Sequence, residues 1–222
     1  MVGRIPRTSG EVIANIKAYY AMVTHLDEHI GRILTTLEEK VLAENTIIVF
    51  TGDNGLAVGQ HGLMGKQNLY EHSIKVPLIF KGPGIKANAE NNALTYLQDL
   101  YPTFCEFAST DIPNTVEGKS LKATLLGAPP SNRESMFFAY KNFQRAARND
   151  RWKIIKYNVE GKVRTQLFDL QNDPLETKDL AANVAYKSQL DEMEKLLVDV
   201  MIENNDAADL SKPNWGVPTL LA

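Results

Sequence analysis

The run Thr46-Ile47-Ile48-Val49-Phe50 constrains this chain more than any other stretch. Its residues favour extended backbone and carry almost no polarity, which predicts a strand buried on both faces. The run ends abruptly in Thr51-Gly52-Asp53-Asn54-Gly55. In open α/β sheets, ligand-contacting groups collect at the carboxyl ends of strands, on loops held rigidly from below. Asp53 and Asn54 offer a carboxylate and a carbonyl oxygen there, the hard donors that Ca²⁺ or Mg²⁺ prefers. Lys66 follows within a short glycine-rich loop and supplies a point charge suited to a tetrahedral anion. Asp-Asn-Gly after a strand also makes an ordinary turn, because these residues tolerate left-handed backbone and bond their own main chain.

Upstream, Thr8 and Glu11 have the spacing of a capping box. Apolar residues recur at Ile13, Ile16, Tyr20, Val23, Leu26, Ile30, Ile33 and Leu37. Steps of three and four predict one buried stripe on a helix of about eight turns. Asp27, Glu28 and His29 scatter around that helix and read as a solvated face. Residues 1–8, with arginines, a glycine and a proline, read as an extended lead-in.

Downstream of the strand, the loop from Gly55 to Asn68 contains His61, with His72 just beyond. His61 reads equally as a pocket-lining group and as a surface histidine; His72 reads as a backbone-bonding or a substrate-facing one. Lys75 to Phe80 predicts a second apolar strand, closed by Lys81-Gly82-Pro83-Gly84. A helix is expected from Gln98 or Asp99, with Pro102 in its first turn. Cys105 sits on it as a core thiol.

The ordered series Phe50-Thr-Gly-Asp-Asn-Gly, Gly59-Gln-His-Gly-Leu, Lys66, Tyr70-Glu71 and Val76-Pro-Leu-Ile-Phe80 resembles the second half of the sulfatases. These belong to the alkaline-phosphatase-like superfamily. The likeness extends through Tyr19-Tyr20-Ala21, Leu26-Asp27-Glu28-His29-Ile30-Gly31, Asp99-Leu100-Tyr101-Pro102-Thr103 and Leu167-Phe168-Asp169-Leu170-Gln171-Asn172-Asp173-Pro174. It implies an α/β fold: part of an alkaline-phosphatase-like parallel sheet with flanking helices, then a small antiparallel sheet with a helix.

Composition shifts across residues 109–133, which carry Pro113, Gly118, Gly127, Pro129 and Pro130. A boundary near residue 130 divides 1–130, part of the catalytic α/β domain, from 131–222, the smaller subdomain. In the latter, β-rich runs at 135–141, 143–148, 152–157 and 163–169 alternate with turn residues and predict a meander. Leu190, Met193, Leu197, Val200 and Met201 mark a covering helix. Arg145, Arg148 and Arg151 read as solvated strand charges or as contacts to an anionic substrate. The tail from Asp206, with Pro213 and Pro218, reads as an irregular wrap over the surface.

The resemblance implies calcium, held by two early acids together with a later Asp-Asn pair that Asp53 and Asn54 match. It implies that Lys66 contacts the sulfate and the leaving group. It also implies a formylglycine nucleophile, made within Cys/Ser-x-Pro/Ala-x-Arg. Cys105 is followed by Glu106-Phe107-Ala108, and no serine starts a matching pentapeptide with its arginine. The early Asp-Asp pair is missing too. The chain thus reads as a carboxyl-terminal half, inactive alone, from a truncated gene or partial protein, or as a degenerate relative that binds a sulfated ligand or a protein. A phosphodiesterase or phosphomutase of the superfamily is disfavoured, since those more often carry Asp-His-Gly at this strand end.

A sulfated small molecule or glycan is the expected ligand. Without the missing strands, an exposed apolar sheet face and a free strand edge are expected to promote association. With 44% hydrophobic and 23% charged residues the 222-residue chain has material for a core. A net charge of −3 gives no footprint for nucleic acid. One cysteine excludes an internal disulfide and leaves the redox compartment open. No run approaches the about 20 apolar residues of a membrane span, and the first residues show no signal-peptide core.

Overall fold

The computed structural model describes residues 8–129 and 133–216. The lead-in before residue 8, the boundary at 130–131 and the tail around Pro218 lie outside the described residues. In chain order the elements are α1 (Ser9–Glu39), β1 (Ile48–Thr51), β2 (Ala57–Val58), β3 (Met64–Gly65), α2 (Glu71–Ile74) and β4 (Leu78–Lys81). They continue with α3 (Leu100–Phe107), α4 (Lys122–Leu125), β5 (Met136–Tyr140), β6 (Gln144–Arg148), β7 (Trp152–Val159), β8 (Lys162–Asp169) and α5 (Lys187–Glu203). The chain divides into two compact units. The first takes the described residues up to Lys66, Val76–Asn92, and those from Tyr96 to 129; the second takes Gln67–Lys75, Ala93–Thr95, and those from 133 onward.

In the first unit, α1 starts on the expected capping box. The Glu11 N–H donates to Thr8 Oγ1 at 3.2 Å, and the Thr8 N–H donates to Glu11 Oε2 at 2.8 Å. The apolar stripe is present but mostly exposed, with Ile16, Ile30 and Leu37 partly buried, which corrects the expectation of burial. No residue of α1 is buried, and Ile13, Tyr20, Leu26 and Ile33 are more than half exposed. A 3.6-residue period shows which side of a helix is apolar, not whether anything lies against it.

β1 corrects the reading of a doubly buried strand in the same way: none of Ile48–Thr51 is buried, and Phe50 is 40% exposed. Its partner is β4, antiparallel, running from Ile48↔Lys81 to Thr51↔Leu78. A parallel crossover needs a dozen or more residues, usually helical. The chain between β1 and β4 holds instead a β2–β3 hairpin and the four-residue α2. Among the described residues β1 pairs on one edge only.

Asp99 and Thr103, from the Asp-Leu-Tyr-Pro-Thr string, are fully buried organisers of the start of α3. The Asp99 carboxylate accepts the Tyr96 and Lys119 N–H groups at 2.8 Å each, and Thr103 Oγ1 accepts the Leu121 N–H at 2.9 Å. Gly118 closes this packing, since a Cβ there would stand 2.3 Å from the Gln98 carbonyl oxygen. Pro102 lies in the first turn of α3, as expected. Cys105 is partly buried, not in a core.

The second unit is an antiparallel meander in the order β5-β6-β7-β8. Its turns use Asn149, whose Oδ1 accepts the Arg151 and Trp152 N–H groups, and Glu160-Gly161, both with positive φ. Ala147, Ile154 and Leu167 from the strands meet Met193, Leu197, Val200 and Met201 of α5, with Leu180. That is the apolar face expected of the last helix. The tail is more ordered than its prolines suggest. Residues Pro213–Gly216 form a 3₁₀ turn, Trp215 is fully buried, and the Arg145 guanidinium lies 5.4 Å from its ring centroid.

Candidate metal and sulfate site

The candidate ligands of the first unit sit where β1 ends. Asp53 forms a bend after Gly52, and its Oδ1 accepts the Asn54 N–H at 2.9 Å. That bond is the turn chemistry expected of Asp-Asn-Gly. It occupies one lone pair of one carboxylate oxygen and leaves Oδ2 unaffected, so turn and ligand roles are compatible. Asp53 is exposed and Asn54 half-buried.

The hairpin determines where Lys66 lies. Ala57 pairs with Gly65 and Val58 with Met64. Continuing that register sets Lys66 across from Leu56, two residues beyond Asn54 in sequence. The chain therefore leaves the strand end, turns, and brings its ammonium-bearing residue back to the base of the same hairpin. The turn is tight: Gly59, Gly62 and Gly65 all have positive φ, and Gly59 donates to the Leu63 carbonyl at 2.9 Å. At Gly59 a side chain would also strike α1, with a Cβ 2.6 Å from Val12 Cγ1. The Gln60 side chain accepts the Val58 N–H at 2.5 Å.

His61 is placed differently. It is exposed, occupies a left-handed conformation at φ +52°, and lies at the hairpin tip, the end away from Lys66. His72 belongs to the second unit, where its ring stacks on Tyr70 with centroids 5.7 Å apart.

The oxygen donors of Asp53 and Asn54 fit a hard cation in kind but fall short in number, since calcium takes six to eight oxygens. Among the described residues, no group of three or more His, Cys, Asp or Glu could hold a metal.

Each of the three arginines has an acidic partner within the second unit; Arg145 and Arg148 are largely buried, whereas Arg151 is half exposed. Arg145 pairs with Asp206, Arg148 with Glu71 at 2.8 Å, and Arg151 with Asp169 at 2.8 Å. Around Glu71 the pairing extends into a buried cluster that strand periodicity did not reveal. Lys153 Nζ is fully buried between Glu71 Oε1 at 3.0 Å and Glu176 Oε1 at 2.7 Å. Glu176 Oε2 also accepts the Glu71 N–H at 2.6 Å. Burial pushes the Glu71 carboxyl upward, but the charges of Lys153 and Arg148 outweigh it and hold the group below its ordinary value. Glu176, with Lys153 as its cationic partner, stays above its ordinary value because burial dominates. The one sequence signal was a lysine interrupting the apolar run Trp152-Lys153-Ile154-Ile155.

Asp169, from the Leu-Phe-Asp-Leu string, closes the turn after β8. It accepts from Arg151 Nε and Nη2 at 3.1 and 2.8 Å, from Asn172 Nδ2 at 2.8 Å, and from the Gln171 N–H. The Arg151 hydrogen bonds lead in lowering its pKa from 3.8 to about 2. A lowered carboxyl contributes stability above its unfolded pKa and loses it as pH falls through the folded one. Arg151 is half exposed, so screening reduces this to about 1 kcal/mol. Asp169→Asn should therefore lower the urea midpoint at pH 5, and the gap should narrow as pH falls through about 2. Tryptophan fluorescence is a clean probe, because Trp152 and Trp215 both lie in the second unit.

Comparison with known proteins covers nearly the whole chain. Residues 4–110 match the family described as Sulfatase, and residues 59–203 match N-sulphoglucosamine sulphohydrolase, C-terminal. Arylsulfatase K of Mus musculus is 35% identical over 183 residues, covering 76% of this chain and 33% of its own length. A solved structure in complex with its substrate D-glucosamine-2-N,6-O-disulfate is 29% identical, with a TM-score of 0.80. It covers 90% of this chain and 42% of that one. The phosphonate monoester hydrolase of Agrobacterium radiobacter is 25% identical, with a TM-score of 0.78, covering 88% of this chain and 43% of that one. The chain spans about a third of the length of the curated relatives it matches.

Proposed function

We propose, from the premise that this chain belongs to the sulfatase family of the alkaline-phosphatase-like superfamily, that it carries half of a metal and sulfate site for hydrolysing sulfate esters. The hairpin register carries the reading. Its pairing of Ala57 with Gly65 supports Lys66 lying on the side of the hairpin from which Asp53 and Asn54 lead in, within one compact unit.

In this reading the Asp53 carboxylate and the Asn54 side-chain oxygen would be two of the ligands to a calcium ion. The remaining ligands come from groups outside those described. Bound calcium would draw charge from the sulfuryl oxygens. The Lys66 ammonium grips a sulfate oxygen and stabilises the negative charge that grows on the departing ester oxygen. His61, at the hairpin tip, is left to contact the distal part of a substrate. The nucleophile is a formylglycine outside this sequence, which has no pentapeptide to form one.

Sulfated sugars are the favoured substrate class, because a structural relative was solved with a disulfated glucosamine. The phosphonate hydrolase shares the fold, but Asp53-Asn54-Gly55 departs from the Asp-His-Gly more usual in phosphoryl enzymes. A degenerate, ligand-binding relative would have less reason to retain Asp53, Asn54 and Lys66 together.

Substitutions in a sulfatase domain completed around this segment test the assignment. Lys66→Ala should lower kcat/KM by about 10²–10³ with little change in unfolding midpoint, the scale seen when one oxyanion-stabilising donor is removed. Asp53→Ala should lower calcium affinity and rate together. Equal loss of rate and stability at Lys66, or an unaltered calcium requirement at Asp53, refutes the roles.

A further inference from the structure

Two histidines four residues apart on α1 play no part in the reading above. His25 and His29 are both exposed and project from one helix face. Their Nε2 atoms already face each other at 3.2 Å, with ring centroids 4.4 Å apart and planes nearly perpendicular at 85°. We propose that this pair is a two-imidazole site for a divalent transition-metal ion, separate from the calcium site proposed at Asp53 and Asn54.

The geometry is that of a chelate. With metal–nitrogen bonds of 2.0–2.1 Å, a nitrogen separation of 3.2 Å gives a bite angle of about 100°. That value lies between the square-planar and tetrahedral angles, so the spacing suits an ion that replaces the proton shared by the two rings. Imidazole nitrogen suits Ni²⁺, Cu²⁺ and Zn²⁺, whereas calcium takes oxygen. No third protein ligand is available among the described residues, so water completes the shell. That composition makes an open, exchangeable site, unlike the closed four-ligand sites that hold structural zinc.

Arg32 modulates the pair. Its Nη1 stands 3.4 Å from His29 Nδ1. A guanidinium can only donate, whereas a metal-bound imidazole gains when its other N–H meets an acceptor. Arg32 thus opposes loading, through both charge and hydrogen bonding.

The test is calorimetric titration of the untagged 222-residue chain, stripped with chelator, using Ni²⁺. The parent should bind one ion at this site, and His25→Ala and His29→Ala should each weaken that site at least tenfold. Arg32→Glu, which supplies an acceptor for the Nδ1–H, should tighten it several-fold. These surface changes leave no buried group exposed, so circular dichroism should be unaltered without metal. Parent-like Ni²⁺ affinity in both histidine variants, or weaker binding in Arg32→Glu, overturns the proposal.

Discussion

Lys153→Met is expected to destabilise the second unit by about 3–5 kcal/mol, the cost of removing one partner from a buried ion pair. Methionine replaces the lysine stem, so the lost feature is the ammonium. Lys153 is fully buried and touches both Glu71 and Glu176. Without it Glu71 keeps Arg148, but Glu176 loses its cationic partner in a site where burial already pushes its carboxyl upward. The variant should therefore recover part of its deficit as pH falls toward the carboxylate range, where Glu176 takes up a proton. Adding Glu176→Gln to Lys153→Met should restore part of the stability at neutral pH. Urea unfolding followed by tryptophan fluorescence measures both effects. A loss below about 1 kcal/mol would place the cluster in solvent-screened surroundings instead.

The second large effect is an absence of turnover. The 222-residue chain has no Cys/Ser-x-Pro/Ala-x-Arg pentapeptide from which the family's nucleophile is made, and Cys105 leads into Glu106-Phe107-Ala108. Positioned electrostatics without an attacking oxygen should leave p-nitrophenyl sulfate hydrolysis at the buffer rate, with or without calcium. Hydrolysis by the pure chain that Lys66→Ala abolishes would contradict this. The largely exposed apolar stripe of α1 and the pairing of β1 on one edge only among the described residues are also expected to make the isolated chain self-associate. Assays therefore belong at low concentration.

Residue patterns reveal some parts of this molecule better than others. The capping box at Thr8 and Glu11, the meander with its Asn149 and Glu160-Gly161 turns, and the buried face of α5 were legible, because each depends on local spacing. Burial of α1 and β1 was not, since it depends on what covers an apolar surface. The antiparallel β1–β4 pairing was hidden as well, because strand direction depends on the path between strands. At the candidate site, Asp53, Asn54 and Lys66 stood out by residue type. The short hairpin between Asn54 and Lys66 needed its register to be seen. The Lys153 cluster joins residues up to 105 positions apart, beyond the reach of any periodicity. A separation of 77 positions likewise explains why Arg148 read as a solvated charge or a substrate contact when its partner is Glu71.

The most direct test of the central claim is a nuclear magnetic resonance titration of the ¹⁵N-labelled chain with calcium and then sulfate. Gly52, Asp53 and Asn54 should shift with calcium at millimolar concentrations, as befits an incomplete ligand set, and Lys66 should shift with sulfate. Asp53→Ala should abolish the calcium response. Calcium or sulfate shifts confined to other parts of the chain, with Asp53, Asn54 and Lys66 unmoved, would contradict the assignment.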